Sequence, residues 1–252
     1  MRSTILNRLQ DADLGDSECI VIDVCGGPGV VALIVGNVIQ ESLRSVRVAE
    51  VLSPRFPQVT LISNDGVAAP PRIDINVARF PDGSSRALIL LSRNFIVDEV
   101  EVGEEAADLI MSYLSGLRVS EEIFITSGRI STSGEVYVSS TELERVRRLV
   151  RLGAKTSSNL ENLPVDRVAT SLMLRSHLRS IPMSLIISDT MGFAPDLASA
   201  KRVITILSTY LNVAIDTTKL DMEIEKQRQF FEETSRLFQQ LERGGGSPTY
   251  IG

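Results

Sequence analysis

Short apolar runs alternate with stretches of helical periodicity along most of this 252-residue chain, and that alternation narrows the fold more than any single motif. Glu18 to Val24 reads as a buried strand, Gly26-Gly27-Pro28-Gly29 breaks it, and Val30 to Leu43 reads as a helix apolar nearly all round. Arg47 to Leu52 and Gln58 to Ile62 are strand-like, with a turn at Asn64-Asp65-Gly66. Ile73 to Phe80 and Arg86 to Leu91 flank Pro81-Asp82-Gly83-Ser84, where proline presets φ and glycine accepts positive φ, so an antiparallel hairpin is predicted. After Gly103 an amphipathic helix carries Ala106, Leu109, Ile110, Tyr113, Leu114 and Leu117 on one face. Glu121 to Thr126 and Val136 to Val138 read as strands, and Thr141 with Glu144 has the spacing of a capping box opening an arginine-bearing helix. Val165 to Leu178 reads as a helix and Met183 to Ser188 as a buried strand. A further helix, with Ala200, Ile204, Leu207 and Leu211 on one face, runs to Asn212. The class predicted is α/β: a mostly parallel sheet flanked by helices, with the hairpin around Asp82 as its antiparallel departure.

The pattern changes beyond Asp216. Thr218 to Arg243 predicts one long C-terminal helix, about 38 Å at 1.5 Å per residue. Leu220, Ile224, Phe231 and Phe238 recur along it at four- and seven-residue steps, with Phe230, Leu237 and Leu241 beside them. A helix of that length outruns the cover an ordinary domain gives, so part of its apolar seam calls for a second chain; the alternative is that the helix folds back on its own domain. The adjacent aromatics widen the stripe beyond a strict coiled coil, which suits a bundle or the body of a neighbouring subunit. The organisation expected is an α/β core domain over 1–216, an oligomerisation helix over 217–243, and a flexible glycine-rich tail over 244–252 that ends Tyr250-Ile251-Gly252.

A net charge of −6 argues against a dedicated nucleic-acid binder, which needs a clustered Lys/Arg excess. The one basic island, Arg145, Arg147, Arg148 and Arg151, reads as a solvated helix face balanced by Glu142 and Glu144. Polar and acidic residues precede the first apolar run, so no signal peptide is expected, and no stretch of 18 apolar residues predicts a membrane span. Cys19 and Cys25 sit six apart in one predicted strand, about 20 Å at 3.3 Å per residue, too far to pair. No Asn-x-Ser/Thr acceptor occurs, and the cytoplasm is the expected compartment.

The chemistry-bearing candidates are few. A strand, then Gly26-Gly27-Pro28-Gly29, then a helix is an arrangement that can cradle an anion, since small residues allow close backbone approach. It matches neither the dinucleotide fingerprint nor the nucleotide P-loop, and its bland alternative is a tight turn packed on a neighbour. Ser127-Gly128-Arg129 leaves the carboxyl end of another strand, the edge where open α/β sheets bind ligands. Gly26, Gly27, Gly29, Ser127, Gly128 and Arg129 therefore form the candidate anion site, with Asp189-Thr190-Met191-Gly192 as a further loop on that edge. His177, the sole histidine, has no Gly-x-Ser-x-Gly elbow to partner it and reads as a surface or interface residue. Two cysteines and one histidine make no zinc site of known spacing, and Asp65, Asp74 and Asp82 lack calcium-loop spacing. No catalytic residue, cofactor or metal is expected. The reading is a non-enzymatic, homo-oligomeric binding protein; the alternatives are a small-molecule α/β enzyme of hydrolase, phosphorylase or ligase type using the glycine-rich turn, and a structural oligomer without a client.

One ordered set of residues is familiar. Ile181-Pro182-Met183-Ser184-Leu185-Ile186-Ile187 leads into Met191-Gly192-Phe193-Ala194-Pro195-Asp196, then Ala198-Ser199-Ala200 and Ile215-Asp216-Thr217-Thr218-Lys219-Leu220. Together with the early Gly26-Gly27-Pro28-Gly29, Phe56-Pro57, Asp65-Gly66 and Pro70-Pro71-Arg72, it resembles the proteasome assembly chaperone family, which holds the second eukaryotic assembly chaperone and its archaeal relatives. The resemblance covers most of Glu18 to Glu233. It implies an α/β domain acting as a homo-oligomer on proteasome α-subunits, partly through a C-terminal hydrophobic-Tyr-x tail. Here Tyr250 is third from the end, Thr249 precedes it, and Ile251-Gly252 follows. Ser180 stands where the family often has glycine.

Overall fold

The computed structural model describes residues 4–57, 61–62, 66, 68–129, 134–156, 165–190, 192 and 194–243, with backbone alone at 61–62, 237–238 and 240–243. It divides into two compact units, Met1–Ile215 and Asp216–Gly252. In chain order the first unit comprises β1 (Ile5–Arg8), β2 (Glu18–Val24), a 3₁₀ turn (Pro28–Val30), α1 (Val31–Ser42), β3 (Val46–Leu52), β4 (Leu61–Ile62), β5 (Ala68–Ala69), β6 (Arg72–Arg79), β7 (Arg86–Ser92), α2 (Val100–Leu114), β8 (Arg118–Gly128), β9 (Val136–Ser140), α3 (Leu143–Arg151), α4 (Arg167–Leu178), β10 (Met183–Asp189) and α5 (Leu197–Leu211). The second unit is built on α6 (Thr218–Arg243).

Eight strands form the main sheet in the order β1-β3-β6-β7-β2-β8-β10-β9; β4 and β5 make a separate short ladder. The α/β class expected from the sequence is the class found. Its parallel portion is narrower than expected, and the sheet is mixed: β7-β2-β8-β10 are parallel, whereas β1-β3, β3-β6, β6-β7 and β10-β9 are antiparallel. The reason is local. Parallel neighbours need crossovers of about a dozen residues or more, and the short link between Arg79 and Arg86 leaves β6 and β7 room only for a return. At Gly83, φ is +72°, and Asp82 Oδ1 accepts from the backbone N–H of Ser84 at 3.0 Å, which closes the β6–β7 hairpin.

β2 is covered on both faces, and its alternation assigns the helices. Cys19 and Val21 share one core cluster with Ala106, Ile110 and Met111 of α2 and Val168 and Leu172 of α4. The opposite face meets α1, where a Cβ at Gly36 would stand 3.0 Å from Val24 Cγ2, and α1 packs beside α5. Two helix layers thus sandwich one sheet. Each fully buried Ile, Leu or Val contributes about 1.5–3 kcal/mol, and residues such as Ile22, Ile75, Leu90 and Ile123 are buried to that degree.

Three details differ from the sequence reading. β1 is an edge strand that short polar-flanked Ile5–Arg8 does not announce. α3 has Glu142 at its N-cap without a side-chain cap, because Thr141 instead exchanges hydrogen bonds with the backbone of Met183 at 3.0 and 3.4 Å. Tertiary pairing with the start of β10 took the hydroxyl that the capping box would have used. Of the expected strand Gln58–Ile62, only Leu61–Ile62 is described, and Asn64-Asp65 of the following turn lie outside the described residues.

Candidate functional site

β2 and β7 are parallel neighbours, yet the chain leaves β2 toward the α1/α5 face and leaves β7 toward the α2/α4 face. Loops that part in this way open a crevice at the carboxyl ends of the strands, the usual binding position of open α/β sheets. A cleft of about 1090 Å³ lies there. Gly26, Gly27 and Pro28 after β2, Ile96, Val97 and Asp98 after β7, Ser127, Gly128 and Arg129 at the end of β8, and the start of α4 line it. Five of the six residues of the candidate anion site therefore come together. Gly29 does not join them: at φ +67° it faces the next loop, where a Cβ would stand 2.8 Å from Thr190 Oγ1.

The glycine-rich turn is also held tightly in place, as its bland alternative required. Ser127 Oγ donates to the Pro28 carbonyl at 2.6 Å, and a Cβ at Gly27 would sit 2.6 Å from Ser127 Oγ. On the other side Asp196 N–H donates to the Gly29 carbonyl at 3.0 Å, and a Cβ at Gly192 would meet Pro28 Cβ at 2.7 Å. These contacts over-determine the turn, which lets β-branched Val30 stay at φ +45°, a conformation costing of order 1–3 kcal/mol. The loop after β10 is fixed in turn by Asp196, which caps α5 and accepts from Thr190 Oγ1 at 2.8 Å and Ser199 Oγ at 2.7 Å.

Beneath the cleft lies a buried ionic network that sequence periodicity did not reveal. Arg93, fully buried just after β7, donates to Asp23 through Nη1 at 2.5 Å and Nη2 at 3.1 Å. The same guanidinium donates to Asp166 through Nε at 3.0 Å and Nη2 at 2.6 Å. Asp166 also accepts from the N–H of Val97 at 3.1 Å and of Ala169 at 3.0 Å, so it caps α4 and pins the loop after β7. Burial disfavours the Asp166 carboxylate, but Arg93 and the two N–H donors outweigh it and hold the carboxyl below its usual range. Burial pushes the Cys25 thiol well up, with Asp23 adding to the effect, so the thiol stays protonated 3.3 Å from Asp23 Oδ2. The only hint in the sequence is charge in the wrong place: Asp23 falls inside a run that is otherwise apolar.

A second network occupies the opposite face. Glu121 is buried and accepts from Tyr210 OH at 2.9 Å, Ser184 Oγ at 2.9 Å and Arg145 Nη1 at 2.6 Å. Arg148 lies over the Tyr210 ring, 4.4 Å from its centroid, while Arg147 and Arg151 pair with Glu144. The basic island is thus largely consumed by contacts within the chain. His177 is exposed near the end of α4 and is not among the residues lining the cleft.

α6 carries the other candidate residues. Leu220 is buried and Ile224 half-buried, whereas Phe230 and Phe231 are 63% and 56% exposed, stacked edge to face with ring centroids 6.1 Å apart. The helix opens on Asp216, which accepts from Thr218 N–H at 2.9 Å, and Arg228 pairs along its surface with Glu225 and Glu232. The side chains of Leu237, Phe238 and Leu241, and the tail residues Tyr250, Ile251 and Gly252, lie outside the described residues. Among the described residues, no helix is long and apolar enough to cross a membrane and no His/Cys/Asp/Glu group is placed to hold a metal.

A mixed sheet between two helix layers, with a cleft at the carboxyl edge and a long terminal helix, defines the class as a three-layer α/β protein. The model of the PAC2 family matches residues 21–235, and the chain belongs to that family. Among solved structures it is similar to Pyrococcus furiosus PbaB, described as an archaeal proteasome activator, at 20% identity and a TM-score of 0.79 over 93% of this chain and 100% of that one. It is also similar to P. furiosus PbaA, described as an archaeal homologue of proteasome-assembly chaperone, at 20% identity and a TM-score of 0.71 over 96% and 98% of the two chains. The Mycobacterium tuberculosis proteasome-assembly chaperone homologue Rv2125 superposes with a TM-score of 0.66 at 16% identity, over 86% of this chain and 94% of that one. At these identities the likeness is one of fold. No curated protein matches the chain at a significant level.

Proposed function

We propose that this protein is a non-enzymatic scaffold that self-associates through α6 and binds proteasome α-subunits, partly through its C-terminal tail. The observation that carries the reading is the aromatic pair Phe230–Phe231, left exposed on a one-sided helix of 26 residues. Large aromatics in water forgo most of the stabilisation that their burial supplies, and contiguous exposed apolar surface of this kind marks a protein contact. Membership of the PAC2 family, and the proteasome-related descriptions of PbaB, PbaA and Rv2125, support the choice of partner. A single tyrosine in a pocket binds weakly; several identical tails on one oligomer raise the effective concentration and supply avidity. The cytoplasm, where proteasome subunits are made, is the compartment this reading requires.

Two measurements separate the parts of the proposal. Deleting Ser247 to Gly252 is expected to abolish capture of α-subunits while leaving the mass in light scattering unchanged; capture that survives the truncation refutes the tail's role. Phe230→Asp with Phe231→Asp is expected to lower the oligomer mass with the circular dichroism preserved, and an unchanged mass refutes α6 as the contact. The enzyme alternative finds little support in the geometry. Ser127 spends its hydroxyl on Pro28, Cys25 is buried and protonated, and His177 stands outside the cleft lining.

A further inference from the structure

The cleft at the carboxyl edge is too large and too specifically lined to be a packing fault. Its volume, about 1090 Å³, reaches the top of the ~300–1,000 Å³ typical of small-molecule sites. It occupies the switch point between β2 and β7, where the parting loops leave a crevice in any open α/β sheet. The lining is amphipathic: Ile96 is 47% exposed, and Val165, Met173 and the small turn residues Gly26 and Gly27 are half-buried.

Charge fixes the ligand's chemistry. Arg129 at the end of β8 and Arg167 at the start of α4 stand on different walls, both exposed, and among the described residues neither makes an ion pair or a side-chain hydrogen bond. Two carboxylates also line the cleft. Asp166 is spent on Arg93 and on the Val97 and Ala169 N–H groups, while Asp98 is exposed and unpaired among the described residues. With the network beneath included, Arg93, Arg129 and Arg167 balance Asp23, Asp98 and Asp166, and the positive charge that faces the cleft unpaired stands on Arg129 and Arg167. Those two differ from the arginines of α3, which are all engaged. Arg is the side chain best suited to hold a carboxylate or phosphate through paired N–H donors.

We infer that this cleft binds a small organic anion, its carboxylate or phosphate held by Arg129 and Arg167 and its apolar body resting on Ile96, Val165 and Met173. Every residue that lines it belongs to the first unit. Asp166 ties the cleft wall to the α4 cap, to the loop after β7 and, through Arg93, to β2.

The test uses the full chain and three probes of matched shape: 3-phenylpropionate, phenyl phosphate and uncharged 3-phenylpropanol, titrated by calorimetry. At least one anion is expected to bind, with the alcohol at least tenfold weaker. Arg129→Gln and Arg167→Gln are each expected to weaken the anion at least tenfold, whereas Arg118→Gln, at the opposite end of β8, leaves affinity unchanged. The three side chains are exposed, so all three variants should fold. Tighter binding of phosphate than of carboxylate identifies a phosphate ester as the ligand class, and the reverse order identifies a carboxylic acid. Absence of binding by both anions overturns the inference, as does equal binding of the alcohol or indifference to both arginine substitutions. None of these outcomes bears on capture of α-subunits.

Discussion

The body and the terminal helix of this protein handle the same residue types in opposite ways. In the body, α5 buries Ala200, Val203, Ile204, Leu207 and Leu211 to 2% exposure or less, and charges such as Arg93, Asp23 and Asp166 are sealed among their partners. On α6, Phe230, Phe231 and Met222 are each more than half exposed, and the ion pairs of Arg228 lie on the surface. Both helices are amphipathic, so periodicity alone does not separate them. The difference lies in what is available to cover the stripe. The body completes its own core, whereas α6 leaves Phe230 and Phe231 exposed, the surface that the proposed self-association would cover.

Substitutions across this contrast should differ by several kcal/mol. Asp166→Ala removes a partner of buried Arg93, the α4 cap and the Val97 contact, and is expected to cost about 3–5 kcal/mol in denaturant unfolding. A loss under 1 kcal/mol would mean that the body does not depend on its buried charges. Leu207→Ala on α5 should cost about 2–5 kcal/mol, while Phe231→Ala on α6 should change the unfolding of the dilute protein by less than about 0.5 kcal/mol. Equal costs would erase the distinction between the helices.

Acid–base behaviour sharpens the description of the body. Burial pushes the Glu122 carboxyl up to about 7, against the hydrogen bond from Ser176 Oγ at 2.6 Å, and Oε1 has no partner among the described residues. Below its ordinary value of 4.5 the carboxyl is neutral in both folded and unfolded chains, and no penalty exists. As pH rises through about 7 the folded protein must hold a buried charge, and stability is lost. Glu122→Gln should therefore be neutral at pH 4 and stabilising above pH 7, by up to about 3 kcal/mol. A gain at pH 4 equal to that at pH 8 would exclude titration as the cause. A smaller gain is expected at Ser180, which holds φ +54° before the Ile181-Pro182 strand entry; Ser180→Gly should raise stability by about 1 kcal/mol in thermal unfolding.

Much of the body was legible in advance. β2, the β6–β7 hairpin, α1, α5 and α6 fall close to their predicted bounds, because each has either a buried apolar run or a periodic face closed by turn residues, whereas α2 opens at Val100, ahead of Gly103, and ends at Leu114, short of Leu117. The meeting of Gly26-Gly27 with Ser127-Gly128-Arg129 was legible too, since both loops leave carboxyl ends of parallel strands. Arg93 and Asp166 were not. They lie 73 residues apart, outside any periodic pattern, and only the packing of α4 against the sheet joins them.

From the sequence alone came the α/β class, the one-sided length of α6 and the small residues that a tight turn after β2 requires, since these depend on local stereochemistry and on the period of the apolar residues. Strand order, the antiparallel half of the sheet, the partners of the buried charges and the fate of Gly29 were settled by tertiary structure. Those outcomes turn on which segments compete for the same neighbour, and that competition is resolved only when the whole core closes.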